Sequence, residues 1–294
     1  EVPAKEPVKI GFSMALTGPL AGGGKQALVA MEMWRDDINS KGGILGRPVQ
    51  LKYYDDQTKA ANVPGIYAKL LDVDKVDFVV SGYGTNLIAP ALPVVIQREL
   101  VFMGLFGMNN NKKWKYDKYF QIMPSGPDPA VGFSKAWFDT VMQLKPTPKS
   151  IAFVAADAEF AKNLKKGAVT NAKRLGLKIT YNKNFKPGTP DFTPIIRAVN
   201  ATNPDLFFVA SYPPGSAGMT RAVSEVGTKV RGFGGGMVGL QFSGIMKGLG
   251  PKLNGVLNYD FYVPEPNMNI YPGVRNLLKR YQKVASARKV DPLG

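Results

Sequence analysis

Two stretches of the chain offer groups that can grip a small anion. The first is Ser81-Gly82-Tyr83-Gly84-Thr85-Asn86, placed just before a helical pattern that starts at Leu87. Thr85 or Asn86 is positioned to cap that helix. A helix start presents unpaired N–H groups, which suit a carboxylate. The helix charge contributes only about 0.3–2 kcal/mol, so hydroxyl and amide hydrogen bonds must supply more. Capping alone would also account for Thr85. The second stretch is Leu105-Phe106-Gly107-Met108-Asn109-Asn110-Asn111. Gly107 can bring its N–H close to a ligand, and Asn109 offers a donor and an acceptor. Phe106 and Met108 can line an apolar wall. The same stretch also reads as an ordinary Asn-rich turn.

Thr17-Gly18-Pro19-Leu20-Ala21-Gly22-Gly23-Gly24 is a third candidate. It lacks the GxGxxG spacing and strand-end acid of a dinucleotide loop. It is either a glycine turn that admits a ligand to the backbone or a flexible connection. Further along, Asp157–Phe160, Ser211–Pro214 and Gly234–Gly239 form a second set of edges. Phe160 and Tyr212 are large rings at strand ends, suited to clamping a ligand. Gly234-Gly235-Gly236-Met237 carries no bulky polar group, so it is expected to leave space and no fixed charge.

Other chemistry is excluded by composition. The 294 residues contain no His and no Cys. Disulfides, thiolate nucleophiles, Ser–His–Asp sets and HExxH metal sites are therefore absent. No cofactor or metal motif is found, and a non-enzyme is expected. Lys and Arg number 38 against 22 Asp and Glu, a net charge of +16. The basic residues are dispersed, with small knots at Lys112–Lys113–Lys115 and Lys162–Lys165–Lys166, and are not interleaved with aromatics. A Lys-rich soluble surface is expected, with no nucleic-acid partner. No apolar stretch reaches the roughly 18 residues of a membrane span. The polar start Glu1-Val2-Pro3-Ala4-Lys5 reads as a mature protein after removal of a targeting segment.

These groups need elements to hold them. Strands are predicted over Lys9–Ala15, Val49–Tyr54, Asp77–Ser81 and Val101–Leu105. A second series covers Ser150–Ala155, Lys178–Asn184, Leu206–Ala210, Val230–Phe233 and Val256–Tyr262. Helical periodicity fills the gaps: Lys25–Asn39, Asn62–Leu71, Leu87–Arg98, Ala130–Met142, Phe160–Leu175, Phe192–Val199, Ala217–Val226 and Gly273–Ala285. The alternation predicts an α/β protein of two similar parallel-sheet lobes. Proline-rich breaks at Pro124–Pro129 and Pro264–Pro266 divide residues 1–123, 124–258 and 259–294, the last returning to the first lobe. Hinge closure over a cleft is the expected motion. The chain ends at Asp291-Pro292-Leu293-Gly294 with the first lobe short of elements, so a missing tail is expected.

Ala15-Leu16-Thr17-Gly18-Pro19-Leu20-Ala21, Asn39-Ser40-Lys41-Gly42-Gly43-Ile44-Leu45-Gly46-Arg47-Pro48-Val49 and Tyr54-Asp55-Asp56-Gln57 carry a family resemblance. So do Pro190-Asp191-Phe192-Thr193-Pro194 and Pro204-Asp205. The chain resembles periplasmic type I solute-binding proteins of the branched-chain amino-acid (Leu/Ile/Val) transporter family. That resemblance implies a monomeric, periplasmic, two-lobed protein that delivers a small molecule to a permease and its ATPase. It implies that Thr85, Gly107 and Asn109 hold the ligand carboxylate, with Tyr83, Asn86, Phe106 and Met108 around them. Phe160, Tyr212, Gly236 and Met237 then belong to the second lobe's contribution.

The departures from that family are informative. Amino-acid binders place an acid in the second lobe against the ligand ammonium, and here the aligned residue is Gly236. Gly23 stands where an aromatic ring narrows the amino-acid pocket. A wider pocket without an ammonium partner points to a carboxylate lacking the amino group, most simply an aromatic acid. Asp157, Glu159 or Asp260 could supply the acid instead, which keeps an amino-acid ligand open. A ligand-sensing regulator of the same fold is the other alternative.

Overall fold

The computed structural model describes residues 6–123, 126–261 and 271–292. The chain divides into two compact units, residues 1–123 with 269–292 and residues 124–268. The expected breaks at Pro124–Ser125 and Pro264–Pro266, the strand end at Tyr262, and Leu293–Gly294 lie outside the described residues.

The first unit is built on a five-stranded parallel sheet in the order β2-β1-β3-β4-β5. The strands are β1 (Val8–Met14), β2 (Val49–Asp55), β3 (Phe78–Val80), β4 (Phe102–Gly104) and β5 (Tyr119–Gln121). Helix α1 (Ala21–Ser40) covers one face, where Ile38 packs on Val8, Ile10 and Val49. Helix α2 (Val63–Asp72) covers the other. Gly11 leaves room for it: a Cβ there would lie 3.2 Å from Leu70 of α2 and 2.9 Å from Val76 just beyond the helix. Val80 pairs with Met103, and Met103 with Phe120. Toward β5 the α1 face is open, with Met103 42% and Phe120 56% exposed.

Three local expectations change. Helix α1 begins at Ala21, so Gly22–Gly24 are helical. The reason is crowding: a Cβ on Gly24 would lie 2.0 Å from the Ala15 carbonyl oxygen. The helix expected over Leu87–Arg98 is split into α3 (Thr85–Ile88), a tight turn and α4 (Leu92–Gln97). Pro90 and Pro93 each remove an N–H that a continuous helix would use. Strand β5 was not expected; its three residues are too few for a period-2 pattern.

The second unit repeats the plan, in the order β10-β9-β8-β6-β7, all parallel. It contains α5 (Pro129–Val141), β6 (Ser150–Ala156), α6 (Glu159–Arg174), β7 (Lys178–Phe185), α7 (Thr193–Ala201), β8 (Leu206–Ser211), α8 (Pro213–Val226), β9 (Gly232–Met237), α9 (Ser243–Leu249) and β10 (Val256–Asn258). Asp128 caps α5 by accepting the Val131 N–H, with Pro129 as the first helical residue. Helices α5 and α6 touch through Gly167, where a Cβ would lie 2.2 Å from the Ala130 backbone. Strands β8 and β9 are buried throughout, as a sheet covered on both faces requires.

Strand β9 runs four residues further than expected. The glycine triplet is strand, not loop. A Cβ on Gly234 would fall 1.8 Å from the Leu257 carbonyl oxygen of β10. Glycine lets the edge strand approach, so the run reflects strand packing. Helix α8 starts early, at Pro213, since two prolines fit a first helical turn. After the second unit, α10 (Val274–Ala287) rejoins the first. There Tyr281 and Ala285 pack on Val29 and Met33 of α1. Arg280 forks onto both carboxylate oxygens of Asp37.

Candidate functional site

Strands of a parallel sheet deliver their loops to one edge, the carboxyl ends. In the first unit these are the loops after β1, β3 and β4. Thr85 is the first residue of α3, and the cap position is Gly84, at φ +92°. The expectation that Thr85 or Asn86 caps the helix is thus corrected, because a left-handed glycine makes the turn. The Thr85 side chain is used otherwise. It is 1% exposed, and its hydroxyl accepts the Met108 N–H at 3.0 Å. Its carbonyl accepts the Asn110 amide at 2.9 Å. The N–H bond uses the acceptor side of the hydroxyl, which leaves its proton to donate. Thr85, Met108 and Asn110 therefore tie two candidate loops together.

The Gly107 loop is fixed from behind. Its carbonyl accepts from the Gln121 amide, and Gln121 in turn accepts from the Tyr119 hydroxyl at 2.9 Å. Burial pushes the Tyr119 hydroxyl up to about 12, so it stays a donor. A Cβ on Gly107 would lie 2.3 Å from Asn110 Oδ1. Asn109 turns the chain at φ +58°, a left-handed position that Asn tolerates. Ser81 Oγ accepts the Leu105 N–H at 2.8 Å. Gln121, Tyr119 and Asn110 were not singled out from sequence as site residues.

The expected apolar wall divides. Phe106 is 38% exposed and meets Tyr83 at 5.4 Å. Met108 is fully buried and packs beneath the loop. Asn86 is half-buried on the α3 turn. The open space inferred from Gly23 is also corrected. A Cβ on Gly23 would lie 2.2 Å from Tyr83 Cζ, so the Tyr83 ring takes that volume. Burial pushes the Tyr83 hydroxyl up to about 12.

The second unit's edge is aromatic. Phe160, in the first turn of α6, meets Tyr212, which precedes α8, at 6.1 Å. Phe160 also meets Phe133 of α5 edge-on at 6.1 Å, and Phe133 meets Tyr259 at 4.9 Å. The two rings expected from sequence are thus joined by two that were not. Beside Phe133 and Tyr259 lies a small pocket lined also by Trp137, Phe208, Gly235 and Leu257. Trp137 closes its floor by donating to the Leu257 carbonyl at 3.1 Å. Asn258 binds both the N–H and the carbonyl of Met237, at 2.9 and 3.0 Å. Met237 itself is fully buried.

Gly236 does not leave open space. A Cβ there would lie 1.9 Å from Leu164 Cδ2, so α6 fills the position with an alkyl group. Of the alternative acids, Asp157 is exposed and pairs with Lys162 at 3.0 Å. Glu159 opens α6, and desolvation raises its carboxyl, opposed by Lys162. Asp260 accepts the Phe261 N–H at 2.7 Å. Among the described residues, no group of three or more acidic side chains could hold a metal ion.

Comparison with known proteins gives this geometry a context. The profile of a family described as "Periplasmic binding protein" matches residues 7–292. The Leu/Ile/Val-binding protein of Escherichia coli (strain K12) is 23% identical over 229 residues, 78% of this chain and 61% of its own length. The chain therefore spans about three-fifths of the curated relatives it first matches. The branched-chain amino acid transporter substrate binding protein of Streptococcus pneumoniae, solved with isoleucine, superposes with a TM-score of 0.79 at 17% identity. That match covers 98% of this chain and 79% of the other. A solute binding protein from Rhodopseudomonas palustris BisB5, solved with 3,4-dihydroxy benzoic acid, gives 0.77 at 18% identity, over 95% and 74%.

Proposed function

The chain belongs to the periplasmic binding protein family, and on that premise we propose that it is the extracytoplasmic solute-binding component of an ABC importer, with a small aromatic carboxylate as ligand. Its partners in that role are a membrane permease and its ATPase. The Thr85–Gly107 edge receives the carboxylate through the hydroxyl and backbone N–H groups. The Phe160–Tyr212 rings pack the aromatic body. Ligand binding favours one state of the protein, and the permease reads that state.

One observation carries the choice of ligand: Gly236, which the family resemblance aligns with the ammonium-binding acid, carries no acid, and Leu164 Cδ2 lies 1.9 Å from where a Cβ on it would stand. An ammonium left desolvated and unpaired costs several kcal/mol, a large part of the about −8 kcal/mol of micromolar binding. The cluster of Tyr212, Phe160, Phe133 and Tyr259 offers ring faces and edges on which an aromatic body can pack. An amino acid is the second reading, favoured by Glu159, which lies next to Phe160 and is partly desolvated. Among the described residues no helix is long and apolar enough to cross a membrane.

A thermal-shift screen separates the readings. A ligand at 100 times its Kd adds about 2.7 kcal/mol, a visible shift in Tm. Benzoates and phenylacetates are expected to stabilise the protein, and leucine, isoleucine and valine are not. Stabilisation by amino acids alone refutes the aromatic reading and directs attention to Glu159.

A further inference from the structure

Tyr54-Asp55-Asp56-Gln57 sets two carboxyl groups side by side at the end of β2, and the fold gives them opposite surroundings. Asp55 faces the loop after β1. It accepts from Leu16 N–H at 3.0 Å, Thr17 N–H at 3.2 Å, Gln57 N–H at 2.8 Å and the Thr17 hydroxyl at 2.6 Å. Those donors outweigh desolvation and hold its carboxyl below the usual range. Asp56 turns inward and is wholly buried. Its Oδ1 accepts the Thr58 N–H at 2.9 Å, while its Oδ2 has no hydrogen-bond partner. Burial pushes this carboxyl up to about 6.

Asp56 lies beneath the carboxylate loop. The hydroxyl facing it is Ser13, which favours the ionised carboxyl but is outweighed by burial; its Oγ is buried and makes no hydrogen bond of standard geometry. That Oγ lies 2.8 Å from where a Cβ on Gly82 would stand. Gly82 is two residues before the turn glycine Gly84 and three before Thr85. The other groups facing Asp56 are Thr58 and Asn62 of its own turn, Tyr67 from α2 and the neighbouring Asp55. Asp55 opposes its ionisation, and burial raises the Tyr67 hydroxyl, which keeps its proton and donates to the Val80 carbonyl at 2.6 Å.

We propose that Asp56 is a positioning residue whose protonation is coupled to anion binding: a carboxylate on the Gly82–Thr85 loop draws a proton from solvent onto Asp56, which then donates to Ser13 Oγ under Gly82. This rests on the reading that the loop receives a carboxylate. Two negative charges, one on the ligand and one buried below it, oppose each other, and protonation removes one of them. At an effective dielectric of about 20, between two such unit charges, an effect on affinity of about tenfold is expected. Binding is tight while Asp56 is protonated and weakens as pH rises through about 6 and the unit above it.

The test is calorimetric titration with 4-hydroxybenzoate and with leucine, from pH 5 to pH 8, in buffers of different ionisation enthalpy. Whichever carboxylate binds is expected to bind about tenfold more weakly at pH 8 than at pH 5, with proton uptake near pH 6–7. Asp56→Asn keeps the shape without the charge, so its affinity is expected to be flat with pH and its proton uptake absent. A role in folding alone would leave the slope in place. Carbon-13 spectra of labelled Asp in the unaltered protein need no variant. They are expected to show one carboxyl titrating near 6 that moves upward when ligand is added. Binding with no pH slope, or a slope that survives Asp56→Asn, overturns the coupling while the site reading stands. Binding of neither probe overturns both.

Discussion

The two units share one plan, yet their loop-bearing edges are made of different matter. The first unit's edge is a lattice of hydrogen bonds: Met108 N–H to Thr85, Asn110 to Thr85, Leu105 N–H to Ser81, Gln121 to Gly107. The second unit's edge is a chain of rings from Tyr212 through Phe160 and Phe133 to Tyr259. Polar positioning is directional and fails steeply when one partner is lost. Ring packing has a softer preference for edge-on or offset contact and tolerates more change. Under the proposed function, the polar edge suits a carboxylate and the ring edge suits an aromatic body.

The strongest way to break this contrast is to put a charge into the ring edge. Gly236→Glu forces a carboxylate into the space of Leu164. Overpacking and an unpaired buried charge together are expected to destabilise the protein by about 3–5 kcal/mol. Chemical denaturation reads this directly. Adding Leu164→Ala to that variant makes room and is expected to return part of the loss. If Gly236→Glu alone is neutral, the space there is not filled as described.

A smaller effect is expected on the polar edge. Thr85→Val keeps the shape but leaves the Met108 N–H unpaired, at a cost of about 1–3 kcal/mol in stability. Affinity for every carboxylate is expected to fall tenfold or more, whatever its body. Titration of two carboxylates with different bodies checks this. A loss confined to one of them would contradict a shared carboxylate site.

The smallest effect tests the rings. Phe160→Ala removes the edge contacts to Phe133 and Tyr212, each worth about 0.5–1.5 kcal/mol. Aromatic acids are expected to lose roughly tenfold in affinity and aliphatic acids much less. Equal losses for both would place Phe160 outside the ligand's surroundings.

Much of the fold was legible because strand and helix periods are local. Strands β1, β2, β6, β7 and β8 carry Val, Ile, Phe and Tyr in short runs between turn residues, and they stand within two residues of expectation. Glycine was the main source of error. Gly22–Gly24 and Gly234–Gly236 read as loops, because sequence cannot say whether glycine is there for freedom or for crowding. The structure answers by neighbours: the Ala15 carbonyl, the Tyr83 ring, the Leu257 carbonyl and Leu164. The candidate loops were legible where they follow strand ends, as with Thr85 and Tyr212. Phe133 lies in the middle of α5 and Gln121 on a three-residue strand. Nothing local distinguishes those two from packing, and only tertiary contact brings them to the edges.

The filled position at Gly236 also bears on how this strand could acquire a new side chain. Acquiring an acid there by one mutation passes through a form carrying both the new side chain and Leu164, and that intermediate is selected against before any new ligand rewards it. The order of events is thereby fixed: α6 must shed bulk first, in a step that is itself mildly harmful. Gly234 and Gly235 allow no such route, since their neighbours include main-chain oxygen atoms that no substitution removes. Changes of side chain around this strand are therefore accommodated through the helices, whose side chains can be exchanged one at a time.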